Sequence, residues 1–196
     1  LSGPLPSTPA LTGVPYMHGA SIDGSQSSNS SQVPQQTFAS LGDADQDGFA
    51  DLVRRNSAVS RTQVAGGGPE GVVSNTARHD LVGASNGSTR LGWAVASAGD
   101  VDADGLPDVI VGDMNACYFG CSQQSQGDAG AAYVHRGRLF GYPPDPTQQL
   151  EGDTPGGEFG HALALDADVD GDGFDDLLVG DPEAGGGAGR VVLHRG

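Results

Sequence analysis

An all-β chain of repeated short strands is the fold class this sequence predicts, and three observations carry the prediction. Of its 196 residues, 33 are Gly and 12 are Pro, a density of turn formers that leaves little room for long helices. Short runs of small and apolar residues at 94–98, 109–111, 177–179 and 191–193 are bounded by Gly, Asp and Pro, the length and punctuation of strands. The same ordered parts also recur, marked by the tripeptide L-x-G at Leu11/Gly13, Leu81/Gly83 and Leu150/Gly152, spaced 70 and then 69 residues apart.

Each repeat then follows one order. A residue paired with Gly opens it (His18-Gly19, Leu91-Gly92, Phe159-Gly160); an alternating small and apolar run, an acidic loop, a second apolar run and a Gly-led segment follow. The second and third copies agree best, LGWAVASAGDVDADGLPDVIVGDMNA against FGHALALDADVDGDGFDDLLVGDPEA, then GAAYVHRG against GRVVLHRG. The single domain 1–196 therefore divides into repeats at about 11–80, 81–149 and 150–196. Four short antiparallel strands in each is the pattern of a β-propeller blade. The first copy is degenerate: a Ser/Gln/Asn-rich insertion at 23–36 is too polar to pack, and Arg54, Arg55 and Asn56 replace the small-residue turn after the acidic loop.

Three blades do not close a ring, since closed propellers use four to eight. The sequence stops after GRVVLHRG, where earlier repeats continue into L-x-G, while residues 11–13 supply an L-x-G at the front. That offset suits closure by pairing of first and last strands. A partial propeller, half of a dimeric six-bladed propeller and an open arc all stay open, the first two ahead because unpaired strand edges invite association.

The acidic loop reads D-x-D-x-D-G-x-x-D in all three copies: Asp43, Asp45, Asp47, Gly48, Asp51; Asp100, Asp102, Asp104, Gly105, Asp108; and Asp168, Asp170, Asp172, Gly173, Asp176. Crowded carboxylates repel at roughly 4 kcal/mol per close pair at an intermediate effective dielectric, so their retention implies a cation. Hard oxygens at positions 1, 3 and 5 converge when the backbone curls, and Gly at position 6 permits the turn. Position 7 (Phe49, Leu106, Phe174) offers a backbone carbonyl and position 9 the last carboxylate. An EF-hand would need Glu at position 12 between helices, where this chain has Arg54, Val111 and Val179 beside strands. Three structural Ca²⁺ sites are expected. Three complete copies in register with the repeat do not arise by chance.

With F-G before the loop and G-x-x-x-A after it, the chain resembles the FG-GAP repeats of integrin α-chain β-propellers. The pair Phe159-Gly160 is complete, Leu91-Gly92 is close and His18-Gly19 departs; Gly112-Asp113 with Ala116, and Gly180-Asp181-Pro182 with Ala184, stand for the second element. The resemblance implies calcium held by the Asp residues named above plus the position 7 carbonyls. It also implies a secreted or cell-surface module for adhesion or protein interaction, without enzymatic activity. The alternative is an accessory domain of a secreted enzyme, or a carbohydrate-binding module using Tyr118, Phe119, Phe140 and Tyr142 as exposed aromatics.

The formal charge of −16, with 25 acidic residues against nine Arg and no Lys, argues against nucleic acid or an anionic membrane as partner. No apolar stretch is long enough to insert in a bilayer, and the N-terminus lacks the charged and apolar regions of a signal peptide. A protein or glycan partner and a homodimer are the expected associations. Cys117 and Cys121, four apart, suit a local disulfide in an oxidising compartment. His135 and His194 share a repeat position, as do Arg136 and Arg195, and Trp93 and His161; recurrence assigns these to the fold rather than to catalysis. Asp23, Ser25 and Ser27 spell an adhesion-type D-x-S-x-S that a Ser-rich tract produces cheaply, and Asn29 and Asn86 begin glycosylation sequons.

Overall fold

The structure, a computed structural model, describes residues 38–56, 61–69, 77–83, 91–116, 129–139 and 141–196. The insertion 23–36, the front L-x-G, both cysteines, both sequons, Tyr118, Phe119 and Phe140 lie outside the described residues.

Three antiparallel sheets account for the strands. The first contains β1 (Phe38–Gly42), β2 (Asp51–Asn56), β3 (Arg61–Ala65) and β4 (Ala77–Leu81) in that order. The second repeats the arrangement with β5 (Val95–Gly99), β6 (Asp108–Asp113), β7 (Ala131–His135) and β8 (Gln148–Glu151). The third has β9 (Ala162–Ala167), β10 (Asp176–Asp181) and β11 (Arg190–His194), with three strands among the described residues. One helical turn, α1 (Ala184–Gly187), contains Gly185 and Gly186 in left-handed conformation and is a turn in all but name. Among the described residues no helix is long and apolar enough to cross a membrane.

Sequence repeat and sheet are out of phase by one strand. Leu81 ends β4 and Leu150 lies in β8, so these two L-x-G tripeptides supply the outer strand of the preceding sheet rather than the start of the next. The sheets stand side by side, with first strand β5 packed between β1 and β9. Apolar residues fill the two gaps. Val53, Val64 and Leu81 of the first sheet meet Val95, Val109 and Val111 of the second. On the other face Ile110, Ala132 and Val134 meet Leu163, Leu177 and Val179 of the third. Alternate residues of β6 thus serve opposite neighbours, which is why Val109, Ile110 and Val111 read as an unbroken apolar run.

The residue-plus-Gly pair is the joint between sheets. Phe159 is fully buried beside the second sheet and pairs through a parallel bridge with Gly130. Gly160, at φ 86°, lies so close to β7 that a Cβ on it would sit 2.2 Å from the Ala131 carbonyl oxygen. A side chain there is excluded on two counts. Trp93 and His161, which follow the pair, meet edge to face with ring centroids 5.7 Å apart. Tyr142 corrects the expectation of an exposed aromatic: it is buried and donates its hydroxyl to the Pro107 carbonyl at 2.7 Å.

Candidate metal centre

Each acidic loop joins the first and second strands of its sheet, between β1 and β2, β5 and β6, and β9 and β10. A one-residue bulge precedes every loop, at Ser40/Gly42, at Ser97/Gly99 and opposite Asp176/Leu177. The bulge twists the strand and turns the loop out of the ladder.

Inside the loop the first carboxylate organises the backbone. Asp43 accepts the N–H of Asp47 at 2.9 Å and of Gly48 at 2.8 Å; Asp100 accepts those of Asp104 at 2.9 Å and Gly105 at 2.7 Å; Asp168 accepts those of Asp172 at 3.0 Å and Gly173 at 2.8 Å. The position 5 carboxylate accepts the position 7 N–H: Asp47 from Phe49, Asp104 from Leu106 and Asp172 from Phe174, at 3.0, 2.9 and 3.0 Å. Position 6 is left-handed throughout, with Gly48, Gly105 and Gly173 at φ 91°, 85° and 95° and no atom within 4 Å of a would-be Cβ. Conformation, not space, demands Gly there. Position 4 is left-handed too, although Gln46 and Ala103 occupy it in two loops. Each costs about 1 kcal/mol that the loop must recover elsewhere.

Positions 1, 3 and 9 come together. Oxygens of Asp43, Asp45 and Asp51 lie within 4.8 Å of one another, as do those of Asp100, Asp102 and Asp108 and of Asp168, Asp170 and Asp176. Asp47, Asp104 and Asp172 at position 5 are not in these converging sets. They face their own loop backbone instead.

The position 9 residue has a second task that the loop motif does not disclose. Asp51, Asp108 and Asp176 are all buried. One oxygen of each accepts the position 2 N–H, from Ala44 at 3.1 Å, Val101 at 2.9 Å and Val169 at 2.8 Å. The other accepts the N–H of a glycine just beyond the third strand, from Gly67 at 2.7 Å, Gly137 at 2.7 Å and Gly196 at 3.3 Å. A Cβ on those glycines would lie 2.3, 2.5 and 2.6 Å from the position 8 carbonyls of Ala50, Pro107 and Asp175. The carboxylate therefore ties loop to sheet; the glycine follows Arg in V-H-R-G and L-H-R-G but follows Gly66 in the first sheet, so no shared motif announces the contact. Arg136 and Arg195 in the same tetrapeptides reach position 3: Arg136 meets Asp102 at 3.1 Å and Arg195 meets Asp170 at 3.0 Å.

The electrostatics ask for a cation. Burial, partly offset by the Gly137 and Val101 hydrogen bonds, and the charges of Asp102 and Asp104 push the Asp108 carboxyl up to about 6. Burial, with the Asp47 and Asp43 charges adding to it, raises Asp51 as well. Asp102 Oδ1 is buried with no hydrogen-bond partner. An all-oxygen donor set that leaves a buried carboxylate oxygen over fits a hard divalent ion. His135, by contrast, is fully buried, donates Nδ1–H to the Pro143 carbonyl at 3.3 Å and has a pKa pushed down to about 4 by burial. It belongs to the core.

Comparison with known proteins agrees with the repeat architecture. Residues 159–194 match the family model for the FG-GAP repeat. Integrin alpha pat-2 of Caenorhabditis elegans is 43% identical over 103 residues, covering 50% of this chain and 8% of the relative. Integrin alpha-7 of Rattus norvegicus is 32% identical over 144 residues, 70% of this chain and 12% of the relative. Phosphatidylinositol-glycan-specific phospholipase D of Rattus norvegicus is 39% identical over 118 residues, 55% of this chain and 13% of the relative. The chain thus spans only 8% to 13% of the length of these relatives. Integrin alpha chains and a phospholipase D thus both resemble part of this chain.

Proposed function

We propose, from the premise that this is an integrin-α-like FG-GAP repeat chain, that it binds three Ca²⁺ as structural ions and serves outside the cell or at its surface as an adhesion or protein-interaction module. The observation that carries the reading is the threefold recurrence of one geometry, with carboxylates 1, 3 and 9 converging within 4.8 Å at the same place in every sheet. In each loop those three Asp residues and the position 7 carbonyl form the donor set, which the position 5 Asp joins through the oxygen other than the one that accepts the position 7 N–H. A divalent cation there supplies two positive charges to a cluster whose members otherwise repel. Three ions would bring the formal charge from −16 to −10. Because position 9 also holds Gly67, Gly137 or Gly196, an ordered loop stiffens the whole sheet and not only its turn.

Calorimetric titration of the chain with calcium is expected to give three equivalents. The variant Asp102→Ala/Asp104→Ala should lose one of them and melt lower mainly when calcium is present. Retention of all three equivalents would refute the ligand assignment. Light scattering in calcium tests the homodimer, for which a mass above the monomer is expected.

A second reading, an accessory domain of a secreted enzyme, is favoured by the match to the phospholipase D. Hydrolytic activity in the isolated chain would replace the interaction reading with that one.

A further inference from the structure

Arg136 and Arg195 stand at the same place in consecutive sheets, each one residue before the glycine whose N–H reaches the position 9 carboxylate. Each guanidinium turns back to the position 3 carboxylate of its own loop, Nη1 lying 3.1 Å from Asp102 Oδ2 and 3.0 Å from Asp170 Oδ2. In the first sheet the corresponding residue, immediately before Gly67, is Gly66. Two loops of three therefore carry a fixed positive charge at this position.

We infer that Arg136 and Arg195 are counter-cations built into the second and third loops, sharing the position 3 carboxylate with calcium and thereby weakening calcium binding there. The inference rests on the calcium reading proposed above. A carboxylate has two oxygens, and Asp102 divides them: Oδ2 faces the arginine, while Oδ1 is buried without a partner in a residue whose carboxylate belongs to the converging set. The guanidinium cannot shed its charge at any ordinary pH. It stabilises the metal-free loop by compensating one of three crowded negative charges, and it opposes the approach of a second cation to the same group. Both effects lower affinity. Arg136 is 42% exposed and Arg195 70% exposed, while their Asp partners are alike at 23%. Solvent screens the Arg195 pair more, so control is stronger in the second loop.

The test is calcium titration of the full chain by calorimetry, comparing wild type with Arg136→Gln, Arg195→Gln and the double variant. Arg61→Gln serves as control, since Arg61 pairs with Asp80 in the β3–β4 ladder rather than with a loop carboxylate. Arg136→Gln is expected to tighten one of the three equivalents roughly threefold to fivefold. Arg195→Gln should tighten another by less, the double variant both, and the control none. In EDTA, Arg136→Gln should melt below wild type, and the difference should narrow as calcium is added. Three wild-type equivalents with unchanged or weaker binding in Arg136→Gln would overturn this inference and leave the calcium reading standing. A wild type without saturable calcium binding would remove both.

Discussion

The second and third sheets carry nearly the same residues in the same register, yet only the second is covered on both faces. Ile110, Ala132 and Val134 are 0% exposed, whereas their counterparts Leu178, Val191 and Leu193 are 37%, 68% and 40% exposed. The chemistry of the positions is alike, so the difference comes from the neighbour: the third sheet covers the second, and no described element covers the third. Burial here is a property of stacking rather than of the strand. The loops do not share this asymmetry. Asp108 and Asp176 are both buried and make the same two hydrogen bonds, because the position 9 latch is satisfied within one sheet.

Core truncation should separate the two sheets most. Ile110→Ala is expected to cost about 3 to 4 kcal/mol in urea unfolding, and Leu178→Ala about 1 kcal/mol. Equal losses would mean that the third sheet is covered in solution, as dimerisation would make it.

Glycine substitution probes the same contrast at the joint. A Cβ on Gly112 would lie 2.1 Å from the Gly160 carbonyl oxygen, while one on the equivalent Gly180 meets nothing closer than Ala162 Cβ at 3.2 Å. Gly112→Ala should therefore destabilise by about 2 to 3 kcal/mol and Gly180→Ala by less than about 1 kcal/mol. Differential scanning calorimetry of the pair would show whether the joint is as tight as the geometry requires.

The third contrast concerns the histidines at equivalent positions and is read as a slope. Burial pushes His135 from 6.5 down to about 4 and lowers the less buried His194 as well. As pH falls through 6.5 the unfolded chain takes up the proton first. The stabilisation is full above that value, declines toward about 4 and then levels off. Within that window His135 contributes about 1.4 kcal/mol per pH unit. Stability curves of His135→Asn should be flatter than wild type over the window, and those of His194→Asn should differ from wild type by less.

Much of this was legible from local chemistry. The acidic loops, the strands beside them and the pairing of His135 with His194 as fold residues could be read because a turn crowded with Asp and bounded by apolar runs has few structural solutions. The second half of the site could not. Gly67, Gly137 and Gly196 lie 16, 29 and 20 residues from the Asp they hold, and no spacing rule in a single sequence marks that contact. Nor did the motif show that Asp47, Asp104 and Asp172 turn to their own backbone while positions 1, 3 and 9 converge.

By itself the sequence determined the kind of element and the kind of chemistry: short strands, left-handed glycines at position 6 and clusters of hard oxygen donors, all consequences of interactions within about ten residues. Only the tertiary structure decided that L-x-G closes the preceding sheet, that Arg136 and Arg195 face the acidic loops, and which aliphatic faces are hidden. Those outcomes depend on strands from distant segments meeting edge to edge and face to face. A chain read one residue at a time carries the donors, acceptors and apolar surface for such meetings but not their partners.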